Sequence, residues 1–172
     1  MSNLEIKGEI IPQELTDTVI GSVVSIFNTI LGSEPKFDGD DSDKKIGDGV
    51  VGIISFVGDV TWLLMLAIPR KSAEAISLQF TGFEVDYESP EMGDVVGELA
   101  NVLAGDIVAR FARQNTKIGM SLPTIMRGHD VEPLLPRGIP SAKLHFSLPQ
   151  GELMLKVAGA KKGESLGRKP GT

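Results

Sequence analysis

After Pro12, apolar residues recur at three- and four-residue spacing, at Leu15, Val19, Val23, Ile26, Phe27 and Ile30, and Gly32 follows the last of them. That spacing marks one face of a helix and the glycine marks its end, so the pattern predicts an amphipathic helix from Pro12 to about Gly32. Phe37 to Lys45, with Asp38, Asp40, Asp41 and Asp43, is too charged to bury and predicts a solvated loop. The pattern then changes. Val50, Val51, Ile53, Ile54, Phe56 and Val57, and next Val60 through Ile68, are β-branched or apolar runs divided by Gly58-Asp59. They predict two central strands joined by a tight hairpin. Pro69 stops the second, and Ser72 is the candidate N-cap of a short helix running through Phe80 to Gly82.

A loop from Glu84 to Ser89 leads to Ser89-Pro90-Glu91, which combines a capping hydroxyl, a proline for the first helical position and an acid for the positive end of the dipole. A helix is predicted from there to about Arg113. Lys117 to Leu122, Ala142 to Leu148 and Glu152 to Val157 read as strands, the last two joined across Pro149-Gln150-Gly151. Prolines at 133, 136 and 140 make 127–140 irregular, and from Gly159 onward glycine and charge predict a disordered basic tail. Two hairpins with helices between them give an α+β fold: one two-layer domain over 1–158, mainly antiparallel, with long helices packed on one face of the sheet.

Composition narrows the function. The chain has 172 residues and 41% hydrophobic content, which suits a single globular domain. A formal charge of −6 argues against a nucleic-acid partner, which would need a basic patch. There is no cysteine, so thiolate chemistry and disulfides are excluded. Two histidines, His129 and His145, are too few for a zinc site, and neither sits in a recognisable catalytic arrangement. The acidic loop fails the calcium-loop pattern, because Asp43 and Gly49 stand where glycine and glutamate are required. Gly47-Asp48-Gly49 lacks the lysine of a phosphate loop and reads as a turn; Trp62 reads as core. No basic leader and no membrane-length apolar run is found, which predicts a cytoplasmic protein with no membrane partner.

What remains is the long helix. With Glu98 as reference at about 100° per residue, Asp94, Asn101 and Gly105 fall within roughly 60° of it, while Val96, Leu99, Leu103 and Ile107 lie opposite. Glu98 and Asn101 are one turn apart and can enter one partner site together. A carboxylate pairs with a cation, and a carboxamide both donates and accepts, which suits it to orienting water. By spacing alone this is a polar helix face like many others.

The stretch Asp94-Val95-Val96-Gly97-Glu98-Leu99-Ala100-Asn101-Val102-Leu103-Ala104-Gly105, followed by Ile118 to Gly128 with Pro123 inside it, resembles the signature of the CheC/CheX/FliY chemotaxis phosphatases, nearest to CheX. The likeness extends over most of residues 12–158. It implies the CheC-like fold and a phosphatase acting on the aspartyl phosphate of a CheY-type response regulator. Asn101 would orient the attacking water and Glu98 would dock against the regulator's lysine, with Asp94, Gly105 and Pro123 on the same partner-binding face. The resemblance implies no cofactor or metal of the chain's own, Mg2+ on the regulator, and a homodimer. The first helix has no glutamate three residues before an asparagine, so a single site per chain is expected. The competing expectation is a non-catalytic module of the same fold that binds a regulator without hydrolysing anything.

Overall fold

In the computed structural model, residues 11–39 and 44–159 are described. The elements are α1 (Gln13–Leu31), β1 (Lys36–Gly39), β2 (Asp48–Gly58), β3 (Trp62–Pro69), α2 (Arg70–Thr81), α3 (Pro90–Arg113), β4 (Ile118–Met120), β5 (Thr124–His129), β6 (Ser141–Leu148) and β7 (Gly151–Gly159). The strands form one antiparallel sheet in the order β1-β6-β7-β3-β2-β4, with β5 also pairing β2. The hairpin runs β2 and β3 lie inside the sheet, as their continuous apolar sequence requires.

The three helices cover one face. Strand alternation sends Val50, Ile54 and Phe56 of β2 into the helix layer, where they meet Leu15, Val19, Val23 and Phe27 of α1 and Val96, Leu99, Leu103 and Ile107 of α3. Burial of each such side chain contributes about 1.5–3 kcal/mol. Trp62 is fully buried, stacked on Phe56 at 4.1 Å and edge-on to Phe111 at 6.1 Å. The opposite face carries a smaller apolar cluster of Val51, Met65, Ala67 and Met154. The fold is therefore the expected α+β two-layer arrangement. α1 is long and apolar enough to cross a membrane, but its stripe from Leu15 to Leu31 is taken up by the core.

Several boundaries differ from the sequence reading, each for a tertiary reason. Phe37–Gly39, expected at the start of a solvated loop, instead forms β1 with Lys36 and pairs with β6, where Phe37 packs its ring on Phe146 at 5.3 Å. The rest of the acidic loop, 40–43, lies outside the described residues. The β2–β3 connection is longer than a two-residue turn, since Phe56 pairs with Trp62. Gly58 continues to pair, at φ +154°, with Ile118; a side chain there would strike the Lys117 carbonyl. Ser72 caps nothing: α2 begins at Arg70, and the buried Ser72 hydroxyl accepts the Glu152 N–H at 2.9 Å. The predicted strand from Lys117 to Leu122 is interrupted after Met120, and Arg127–His129, placed in the irregular segment, belongs to β5 opposite Asp48–Val50. The exposed edge of the long β2 supplies the hydrogen-bond partners that override the local signal there. Gly159, expected to open the disordered basic tail, instead closes β7 opposite Trp62, because the ladder with β3 extends to it; the rest of that tail, 160–172, and the N-terminal 1–10 lie outside the described residues.

Candidate functional site

α3 begins at Pro90, in the N1 position, but Ser89 does not cap it with its side chain. Its hydroxyl instead donates to the Asp86 carbonyl at 2.6 Å. The helix start is held by packing and by a distant arginine: Arg127 Nη1 donates to the carbonyls of Tyr87 at 2.9 Å and Ser89 at 3.0 Å. Tyr87 is buried beneath Arg70, whose guanidinium sits 4.5 Å from the ring centre. Glycine and alanine then bring α3 close to the sheet. Gly52 of β2 lies under it, where a side chain would meet Ala100 and Ile125 at 3.2 Å. Ile125 of β5 in turn stands 3.6 Å from the position a Gly97 side chain would take.

On this rigid support the outward face of α3 presents Asp94, Glu98, Asn101 and Gly105, all exposed, while Val96, Leu99, Leu103 and Ile107 are buried. Among the described residues, the side chains of Asp94, Glu98 and Asn101 make no hydrogen bond and no ion pair. Gly105 has nothing within 4 Å of where its side chain would be. A mid-helix glycine costs about 0.5–1 kcal/mol relative to alanine. No packing demand accounts for that cost at Gly105.

Between β4 and β5, residues 121–123 bulge out of the strand. Ser121 N–H donates to the Ser55 carbonyl at 2.9 Å, but the return bond from Ser55 N–H goes to the Ser121 hydroxyl at 3.0 Å. Ladder pairing resumes at Thr124 opposite Ile53. Pro123 sits half-buried in this bulge, and Leu122 is 84% exposed. An exposed leucine of this kind was not singled out by sequence; the proline after it, which removes a ladder donor, is the signal that marks the break.

Other polar clusters are satisfied. Asp106, two turns beyond Glu98 on α3, accepts from the Ser22 hydroxyl at 2.6 Å and from Arg110 Nε at 2.6 Å. Burial alone would raise its carboxyl, but the Ser22 and Arg110 hydrogen bonds win and hold it below the ordinary carboxylate value. His145, expected as an ordinary partly exposed residue, does face away from the helices, yet its side chain is only 12% exposed. It lies 3.0 Å from Glu152 and 3.1 Å from Lys44, which itself pairs with Glu152 at 2.6 Å. Burial pushes the Glu152 carboxyl up, while Lys44 and His145 together bring it below its usual value. His129, at the end of β5, is raised by its hydrogen bond to Asp48 at 2.9 Å and by the charge of Asp130. Among the described residues no group of three or more histidines or acids is placed to hold a metal ion. A cavity of about 80 Å³ opens on the helix-free face between Met65, Ala67 and Met154, well away from α3.

The sequence profile of the family described as chemotaxis phosphatase CheX matches residues 50–147. The CheY-P phosphatase CheX of Thermotoga maritima is 24% identical over 121 residues, covering 69% of this chain and 78% of its own. The crystal structure of chemotaxis protein CheX from Vibrio vulnificus superposes with a TM-score of 0.75 at 20% identity, over 86% of this chain and 99% of its own. A CheX–CheY–BeF3–Mg2+ complex from Borrelia burgdorferi gives 0.73 at 17% identity, over 86% and 98%. At these identities the structures establish the shared fold.

Proposed function

The chain belongs to the CheX family of chemotaxis phosphatases, and from that premise we propose that it accelerates hydrolysis of the aspartyl phosphate on a CheY-type response regulator. Asn101 orients the water that attacks phosphorus, and Glu98 docks against the regulator's active-site lysine. The bond from phosphorus to the aspartyl oxygen breaks, releasing inorganic phosphate and a free carboxylate. The observation that carries this reading is the bare pair itself: two exposed side chains, without partners among the described residues, one turn apart on a helix whose other face is locked into the core. In this reading Asp94 and Gly105 on the same helix face, together with Pro123, complete the partner-binding face.

The chemical demand is small. An acyl phosphate hydrolyses spontaneously, and magnesium on the regulator supplies the charge neutralisation. Placing one water in line contributes several kcal/mol by removing its orientational freedom before reaction. The chain therefore needs no metal, nucleophile or base of its own, and its site is complete with the regulator bound. The Borrelia complex, with CheX, CheY, beryllofluoride and magnesium together, supports such a partnership for this fold. The same reading carries a cytoplasmic homodimer, which light scattering of the purified chain tests.

Phosphate loss from a phosphorylated CheY-type regulator, with and without this protein, is the deciding assay. Acceleration that disappears in Asn101→Ala, with unchanged circular dichroism, is the expected outcome. Decay that the native protein leaves unchanged, despite binding, favours the non-catalytic module of the same fold.

A further inference from the structure

We propose that Leu122 is an apolar anchor for the regulator's receiver domain, seated beside Glu98 and Asn101 and governing affinity rather than turnover. The proposal rests on the phosphatase reading and adds a residue that neither charge nor hydrogen-bonding chemistry points to.

Its position follows from the path of the chain. After α3 ends, Thr116 N–H closes onto the Phe111 carbonyl at 2.9 Å and the strand turns back along the helix. By Ile125 it has reached Gly97, 3.6 Å from where that side chain would be. From Phe111 to Gly97 the helix spans about 21 Å. From Ile118 to Ile125, paired with Gly58 and Gly52 across the bulge, the strand path spans about 20 Å. The two paths therefore run side by side, and Leu122 comes level with the turn of α3 that carries Asn101 and Val102. Val102, 36% exposed, lies about 100° further round the helix than Asn101 and so flanks the acid-amide pair on the side away from Gly97 and β5.

The leucine is also held in place. Ser121 is bonded to Ser55 through both its N–H and its hydroxyl, and the same hydroxyl donates to the Leu122 carbonyl at 3.0 Å. Pro123 fixes the next φ. A bulge at a sheet edge re-aims a side chain. Here it holds a leucine 84% exposed, an arrangement the isolated fold gains nothing from. An apolar group presented by a fixed backbone loses little freedom on docking, and a central apolar contact ringed by polar groups is the usual form of a binding hot spot. The occupant is the regulator because the anchor comes level with the turn of α3 that carries Asn101, on the side of the helix where β5 passes Gly97, and a regulator that takes in Glu98 and Asn101 covers that edge.

The test uses the full chain with a CheY-type regulator, measuring dephosphorylation kinetics and the binding of the regulator charged with Mg2+ and beryllium fluoride. Leu122→Ala should raise KM and weaken that binding about tenfold, leave kcat within about twofold, and leave the melting temperature unchanged. Leu122→Met should restore most of the affinity. Unaltered binding and KM in Leu122→Ala overturn the anchor while the phosphatase reading stands. A changed oligomeric mass without a changed KM assigns the leucine to self-association and also overturns it. If the native protein binds the charged regulator in a Leu122-dependent way yet accelerates nothing, the anchor holds and the catalytic reading falls.

Discussion

Glu98 and Asp106 stand two turns apart on the same helix and have opposite circumstances. Asp106 is bonded to Ser22 of α1 and to Arg110, its carboxyl is displaced below its ordinary value, and it ties two helices together. Glu98 is exposed and has no partner among the described residues. Perturbed ionisation commonly flags active sites. Here it flags a structural tie instead. A site completed by a partner protein leaves its groups solvated and unsatisfied until that partner arrives, so it is recognised by what its side chains lack.

The contrast can be broken at either end. The largest effect is expected at the amide: Asn101→Ala should slow stimulated dephosphorylation at least about 100-fold, equivalent to about 2.7 kcal/mol of barrier, with no change in denaturant midpoint. At Asp106 the order reverses. Asp106→Ala should destabilise the fold by about 1–2 kcal/mol, because Ser22 and Arg110 lose their acceptor, while phosphatase kinetics in the folded fraction stay native. Its depressed carboxyl adds stability that is full above the unfolded value of 3.8 and is lost as pH falls through the lower folded value. Asp106→Asn should therefore flatten the acid limb of a stability–pH curve. Glu98→Ala should raise KM about tenfold, or about 1.4 kcal/mol, with a smaller change in kcat; a purely structural effect would move the melting temperature instead. The smallest change is expected at Gly105→Ala, which should raise stability by about 0.5–1 kcal/mol in urea while reducing the dephosphorylation rate, because the open path along α3 is narrowed. A gain in stability with no kinetic change would remove Gly105 from the docking face.

Much of this architecture is legible in local sequence, where local physics decides. α1 ends at Gly32 in the left-handed conformation, at φ +71°, as its spacing and glycine predict. α3 runs from Pro90 to Arg113, its buried stripe opposite Glu98 and Asn101. The errors cluster where two distant segments compete. β1 exists because Phe37 finds Phe146, and β5 exists because β2 has an unpaired edge. Ser72 and Ser89 carry the residue type of a cap but spend their hydroxyls on Glu152 and Asp86.

By itself the sequence determined the helical period, the apolar strands and the Asp94, Glu98, Asn101 spacing, because each depends on residues a few positions apart. Tertiary structure alone decided which acids are free. Asp106 and Glu98 have the same carboxylate chemistry and lie on one helix, yet Ser22 reaches Asp106 from 84 residues away. It also decided the exposure of Leu122, which follows from a bulge against Ser55. Hydrogen-bond partners and solvent access are set by which surfaces pack together, and that information is spread over the whole chain.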